Sequence, residues 1–246
     1  MTAFSRLPVR RVERDPGFDL SSAPRTRWPW TVRAVAQLVD DGLDLGPLTV
    51  LVGENGAGKS TVVEAVALAF GLSPEGGGTG ARHTTRSSEP GMQEVLRVIR
   101  GVGGARWGYF VRAETMHGLF TYLEDNPRAY DGEPAFHERS HGEAFQAITA
   151  DPWRFGKPGF YVFDEPEAGL SLRSQLLFVE QVEDMVANGA QVLVATHSPV
   201  VAALRGATLL QVDDAGLRLV RWDELALVDQ HRRFVADPEA YRRGDW

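Results

Sequence analysis

Two spacings of apolar residues divide this chain. Three short, almost wholly apolar runs, Leu48-Thr49-Val50-Leu51-Val52, Phe160-Tyr161-Val162-Phe163 and Gln191-Val192-Leu193-Val194-Ala195, have strand length. Their lack of alternation predicts strands covered on both faces. Two other stretches carry the helical period. Val62 to Phe70 follows the first run, and Ser171 to Asn188 places Leu172, Leu176, Val179, Val182 and Val186 on one side. Asn188-Gly189 supplies the stop of that second helix.

Weaker patterns fill the intervals. Pro8 to Val12 predicts a short opening strand, followed by a Pro- and Ser-rich loop to Trp28-Pro29-Trp30. Thr31 to Leu38 alternates and predicts a strand; Asp40-Asp41-Gly42 marks a turn, and Leu43 to Leu45 returns as an antiparallel partner. Residues 73–80, with four glycines in eight positions, predict a mobile loop. Glu94 to Arg100 and Trp107 to Arg112, joined through Gly101-Val102-Gly103-Gly104, predict a hairpin. Glu114 to Ala150 is mixed and mostly helical, broken at Asn126-Pro127 and between Gly132 and Pro134. A second hairpin, Thr208 to Val212 with Leu217 to Trp222, turns at Asp213-Asp214-Ala215-Gly216, and the remainder is helical with a polar tail. Buried strands alternating with helices define an α/β, doubly wound architecture, whose ligands sit at the carboxyl ends of the strands.

The first buried strand runs straight into Gly53 to Thr61, GENGAGKST, which fills G-x-x-x-x-G-K-[ST] with Gly53, Gly58, Lys59 and Ser60. The residue types follow from what a phosphate chain needs. Glycines let successive backbone N–H groups turn inward and let phosphate oxygens come close. The helix that starts near Lys59 points its positive end at the anion. Lys59 then reaches the β- and γ-phosphates, and the Ser60 hydroxyl is placed to ligate Mg²⁺.

Polar stations close the other two buried strands. The second ends in Asp164-Glu165-Pro166-Glu167, where the first carboxylate suits a metal shell and the second an attacking water; a plain acidic turn has the same composition. The third ends in Thr196-His197-Ser198-Pro199, putting His197 where it can meet a γ-phosphate or orient water; histidines at strand ends also serve structure. Arg139-Ser140-His141-Gly142-Glu143 offers Ser140 and Gly142 at a helix start, either as an ordinary cap or as a second anion site. One chain already has Lys59 for the phosphates, so a second site points to a nucleotide held between two subunits.

Composition narrows the setting without changing this picture. The 246 residues are 43% hydrophobic and 24% charged, enough for a sizeable core. The absence of cysteine excludes disulfides, thiolate chemistry and Cys-ligated zinc, and fits a cytoplasmic protein. No apolar run reaches the roughly 18–20 residues of a membrane span, and Met1 to Arg6 does not read as a signal peptide, so no direct membrane insertion is expected. A net charge of −7 argues against broad nucleic-acid binding. The arginines gathered at Arg6–Arg14 and Arg232–Arg243 read as solvated ends.

Taken in order, GENGAGKST, FYVFDEPE, SHGEA, Glu167-Ala168-Gly169-Leu170-Ser171 and His197 resemble the Walker A, Walker B, signature, D-loop and switch stations of ABC-class ATPases, in their soluble branch allied to SMC and RecF proteins. The pattern is most similar to short stand-alone bacterial AAA/ABC-type ATPases with a Ser-His-Gly-Glu signature. The resemblance implies a P-loop NTPase fold: a mostly parallel central sheet with helices on both faces, an antiparallel β-subdomain and a small helical lobe carrying the signature. It implies one ATPase domain over 1–246, with an N-terminal lobe over 1–112, a helical lobe over 113–157 and a C-terminal lobe over 158–246.

Site roles follow from the same resemblance. Asn55, Gly56, Ala57, Gly58, Lys59, Ser60 and Thr61 hold the phosphates of ATP; Ser60 and Asp164 hold Mg²⁺; Glu165 and His197 are catalytic; Ser140 and Gly142 complete the site of the opposite protomer in an ATP-dependent head-to-tail homodimer. The pattern also departs from the family. Leu-Ser-Gly-Gly-Gln is absent, Glu114 stands near the place of the Q-loop glutamine, Trp28 and Trp30 are the upstream aromatics available for adenine, and no coiled-coil arms exist. The expected function is Mg²⁺-dependent ATP hydrolysis coupled to dimer opening, in a process such as DNA repair or defence. Two alternatives stand beside it. One is a slow nucleotide-gated clamp or sensor acting through a partner protein or DNA. The other, a transporter's ATP-binding subunit, is disfavoured by the signature.

Overall fold

A computed structural model describes residues 6–79, 92–126, 136–139 and 141–243. The strands are β1 (Arg11–Arg14), β2 (Leu43–Asp44), β3 (Leu48–Val52), β4 (Gly77–Gly78), β5 (Leu96–Ile99), β6 (Gly108–Arg112), β7 (Phe160–Asp164), β8 (Gln191–Thr196), β9 (Thr208–Asp213) and β10 (Gly216–Val220). The helices are α1 (Arg33–Asp41), α2 (Lys59–Phe70), α3 (Met92–Val95), α4 (Met116–Asp125), α5 (His141–Thr149), α6 (Pro152–Phe155), α7 (Leu172–Ala187), α8 (Ala226–Ala236) and α9 (Pro238–Arg242).

The three apolar runs form the middle of a seven-stranded sheet ordered β10-β9-β3-β8-β7-β6-β4. Strands β9, β3, β8, β7 and β6 are parallel, and the antiparallel β10 and β4 close the two edges. Alternate residues feed opposite faces, as the pleat requires. Val50, Phe163 and Val194 enter a core shared with α4, α5 and α7, while Leu51, Val162 and Leu193 enter one shared with α1 and α2. This two-sided burial is why the runs show no alternation. A separate antiparallel sheet, β2-β1-β5, packs on the second face.

Three expectations change. Thr31 to Leu38 is not a strand. Helix α1 covers most of it, because Ala34, Val35, Leu38 and Val39 bury one helical stripe and Gly42 caps the end by donating its N–H to the Leu38 carbonyl. The residues expected as one hairpin separate: β5 joins β1, and β6 pairs in parallel with β7. Trp107 explains the second placement, since its indole Nε1 donates to the Arg154 carbonyl at 3.1 Å and ties the start of β6 to α6. Within the glycine-rich stretch, Gly77 and Gly78 pair with Phe110 and Tyr109 as β4. With Thr31 to Leu38 helical, β2 takes β1 as its antiparallel partner instead, Val12 facing Leu43, while the β9–β10 hairpin forms as expected.

Candidate functional site

Strand β3 delivers the glycine loop onto the start of α2. Gly58 caps α2 at φ +97°, a left-handed conformation that costs side-chain-bearing residues about 1–2 kcal/mol. Its missing side chain also makes room for Val32, whose Cγ1 lies where a Cβ would be. Gly53 answers a different constraint: a Cβ there would run into the Val212 carbonyl of β9. At Gly56 nothing stands within 4 Å of the Cβ position, so the apex of the loop faces open space. Lys59 is almost wholly buried, and its Nζ donates to the Glu54 carbonyl at 3.0 Å and lies 3.7 Å from Glu165 Oε1. Asn55 and Ala57 line the groove outside this loop, and Ser60 and Thr61 occupy the first turn of α2.

Strand β7 ends two places away, with β8 between. Asp164 is buried, and burial is the main reason its carboxyl is pushed up to about 6. A hydrogen bond from Ser60 and the charge of Arg112 act in the opposite direction. Thus Ser60 and Asp164, far apart in sequence, meet. Asp164 Oδ1 has no hydrogen-bond partner among the described residues, while Oδ2 lies 3.4 Å from Arg112 Nε.

Glu165 has φ +51°, unique among described non-glycine residues. Such a backbone costs of order 1–3 kcal/mol and persists only where its surroundings hold it. Here its N–H donates to the Ala195 carbonyl at 2.9 Å, and Oε1 stands 3.7 Å from both Lys59 Nζ and His197 Nδ1.

Residues outside the sequence-derived set complete the cluster. Glu167 is buried; its Oε1 accepts from the Thr196 hydroxyl at 2.6 Å and from the His197 N–H at 2.7 Å, and lies 3.3 Å from His197 Nδ1. Read only as the start of the D-loop, it in fact anchors the loop that carries His197. No local signal marks this role, because its partners Thr196 and His197 lie 29 and 30 positions away in the chain. Arg112, at the end of β6 and in register with Asp164, pairs with Glu64 at 2.8 Å, leaving the more exposed Glu114 at 3.4 Å. The stretch read for a Q-loop therefore places an arginine, not Glu114, against the buried carboxylate.

Other predicted positions lie elsewhere. Ser140 falls outside the described residues. Gly142 sits in the first turn of α5 against Leu170, whose Cδ2 is 3.5 Å from the glycine's Cβ position. Trp30 is buried and stacked on Phe18, centroids 6.0 Å apart, whereas Trp28 is exposed. No group of three or more His, Cys, Asp or Glu side chains among the described residues could hold a metal alone. No helix among them is long and apolar enough to cross a membrane.

A parallel sheet in which β3 feeds a glycine-cradled lysine, with a buried carboxylate at the end of the strand two places away, defines the core of a P-loop, ABC-ATPase-like fold. Residues 48–150 and 144–203 match the family described as "AAA domain, putative AbiEii toxin, Type IV TA system", and the chain belongs to that family.

Among curated proteins, the chain is similar to the uncharacterized ABC transporter ATP-binding protein YthP of Bacillus subtilis. They are 30% identical over 163 residues, which is 62% of this chain and 65% of YthP, so the chain spans just under two thirds of that relative. It is also 30% identical over 172 residues to the cytochrome c biogenesis ATP-binding export protein CcmA of Rhizobium etli, covering 64% of this chain and 78% of CcmA. Among solved structures, cbiO1 of Clostridium perfringens, part of the ABC transporter complex cbiONQ, superposes with a TM-score of 0.47 at 15% identity over 83% of this chain and 90% of that one.

Proposed function

We propose that the chain is a Mg²⁺-dependent ATPase module of the soluble SMC- and RecF-like branch, in which two copies share each nucleotide and ATP turnover opens the pair. The observation that carries this reading is the meeting of Lys59, Ser60, Asp164, Glu165 and His197 at the carboxyl ends of adjacent strands. The amides of Asn55 to Thr61 wrap the phosphate chain, and Lys59 leaves the Glu54 carbonyl to reach the β- and γ-phosphates.

The metal assignment rests on the donors. Asp164 Oδ1 is buried without a hydrogen-bond partner among the described residues, and Ser60 bonds the same carboxylate. A carboxylate and a hydroxyl are hard oxygen donors, and Mg²⁺ is usually held by one or two such groups plus phosphate and water. When bound, Mg²⁺ would offset charge on the phosphate oxygens. Glu165 polarises the attacking water from its fixed left-handed backbone, and His197 contacts the γ-phosphate.

Ser140 and Gly142 act on the nucleotide of the opposite copy. Gly142 packs against Leu170 and Gly169 of its own chain in the first turn of α5, and a helix start attracts an anion. Loss of the shared γ-phosphate then releases the pair. We place the module in the cytoplasm. The family description names a toxin–antitoxin system, which favours defence over DNA repair as the process served.

A second reading is favoured by the relatives. The sequence set aside a transporter's ATP-binding subunit because Leu-Ser-Gly-Gly-Gln is missing. YthP and CcmA, however, carry the names of transporter and export ATP-binding proteins, which supports a nucleotide-gated module whose output reaches a partner protein. Slow turnover that a co-purified membrane partner accelerates would select this version.

The test common to both uses Glu165→Gln. With ATP and Mg²⁺ it is expected to hold ATP, lose turnover by at least about a hundredfold and run as a dimer on sizing, while Lys59→Ala stays monomeric. Wild-type protein with no Mg²⁺-dependent ATP loss above the Lys59→Ala background would overturn the enzymatic assignment.

A further inference from the structure

We propose that Arg112 is an internal cation that competes with the metal for Asp164, so that the site takes Mg²⁺ only in company with a nucleotide's phosphates. This deepens the Mg²⁺-dependent ATP reading above and rests on it. Arg112 ends β6 in register with Asp164 at the end of β7. Its side chain is largely buried and faces three carboxylates: Glu64 Oε2 lies 2.8 Å from Nη1, Asp164 Oδ2 3.4 Å from Nε, and Glu114 Oε2 3.4 Å from Nη2. The Glu114 side chain is 77% exposed, so solvent screens it. Glu64 and Asp164 are the partners that matter.

These two are held differently. Glu64 accepts a hydrogen bond from Nη1. Nε, by contrast, is buried and donates to nothing among the described residues, and Asp164 Oδ1 is buried and accepts from nothing among them. A buried donor and a buried acceptor left over at one ion pair each cost free energy, so the pair is ready to exchange partners. Helix α2 keeps it in this half-engaged state. Ser60 bonds Asp164, while Glu64, one helical turn further on, bonds Arg112.

The chemistry of arginine decides between cooperation and competition. A guanidinium has donors but no acceptor, and it stays charged. Water bound to a divalent cation keeps a lone pair on the metal and turns its hydrogens outward. Asp164 can accept such a hydrogen or ligate the metal itself; Arg112 can do neither. A positive charge already beside Oδ2 therefore opposes a second one at Oδ1. Phosphate changes the balance, because its oxygens accept from a guanidinium and its negative charge offsets both cations. A divalent ion alone brings no such charge.

Mn²⁺, which suits the same oxygen donors, reports its own binding by electron paramagnetic resonance without any turnover. Its dissociation constant without nucleotide is measured on wild type, Arg112→Met, Arg112→Lys and Arg112→Met/Asp164→Asn. Methionine is chosen because a glutamine oxygen could itself ligate the metal. Arg112→Met is expected to bind Mn²⁺ about tenfold or more tightly than wild type. Arg112→Lys, which keeps the charge, should stay near wild type, and adding Asp164→Asn should erase the gain. In EDTA, Arg112→Met should bind ATP more weakly than wild type. A merely structural role would weaken both ligands together. If Arg112→Met melts early, Arg112→Met/Glu64→Gln removes the stranded charge as well and is expected to show the same gain. Unchanged Mn²⁺ affinity, a gain that survives Asp164→Asn, or equal ATP affinities in EDTA overturns the proposal, while loss of ATP binding in Lys59→Ala still upholds the phosphate site. Wild-type protein that binds no ATP with Mg²⁺ overturns both.

Discussion

At the scale of single residues, the site is held by a carboxylate that is not in the motif's usual cast. One Glu167 oxygen accepts from the buried Thr196 hydroxyl and from the partly buried His197 amide, and so sets where the imidazole can stand. Removing that oxygen strands one buried donor and one partly buried one, the buried one at about 1–3 kcal/mol and the other at less. Glu167→Ala is therefore expected to lower stability by about 2–4 kcal/mol, seen as a drop in denaturation midpoint. Glu167→Gln keeps an acceptor for both donors and should cost much less, yet removes the charge beside Nδ1. Turnover should fall in Glu167→Gln while KM for ATP stays near wild type; equal stability losses in the two variants would remove the anchoring role. The motif residues themselves were legible in sequence because the phosphate loop, the strand-end acids and His197 have local chemistry. Glu167 and Arg112 were not, since their partners lie 29 to 52 positions away in the chain.

Among elements, the phosphate loop is shaped by neighbours that spacing alone does not reveal. The α1 N-cap residue Val32 fills the space over Gly58, so the glycine is needed for its dihedral and for its missing Cβ. Gly58→Ala pays a left-handed backbone cost of about 1–2 kcal/mol plus the clash with Val32. In a double-mutant cycle, Val32→Ala should relieve the clash but not the dihedral, giving a coupling of about 1 kcal/mol or more in urea denaturation. Additivity within about 0.3–0.5 kcal/mol would mean the contact is slack. The same α1 shows why its span misled. Thr31 to Leu38 alternates in polarity, but its buried residues are spaced one and three apart, and the choice between periods is made by the surfaces of α2, β1 and β10 against which it packs.

At the scale of the whole molecule, the buried acid of the site links stability to pH and metal. Asp164 titrates at about 6 in the fold against 3.8 unfolded, with burial the leading cause. A raised pKa means the folded state binds the extra proton. Its contribution is fully present below about pH 4 and is lost as pH rises through about 6. Two units correspond to about 3 kcal/mol, or several degrees in Tm for a chain of this size. Metal-free Asp164→Asn should thus melt above wild type at pH 7 and level with it at pH 4. Adding Mg²⁺ and ATP should raise wild type and not the variant; a pH-independent gap would assign the burial cost elsewhere.

The amino-acid order by itself determined which runs become central strands, where the phosphate loop starts α2, and that polar chemistry collects at strand ends. Those are short-range matters: apolar content, glycine dihedrals and the helical period are decided within a few residues. The tertiary structure alone decided that α1 is a helix, that β5 and β6 part to different sheets, that Ser60 meets Asp164, and that α8 closes a groove beside the loop. Each of these depends on which surfaces are brought together across long stretches of chain, and local propensity carries no record of that.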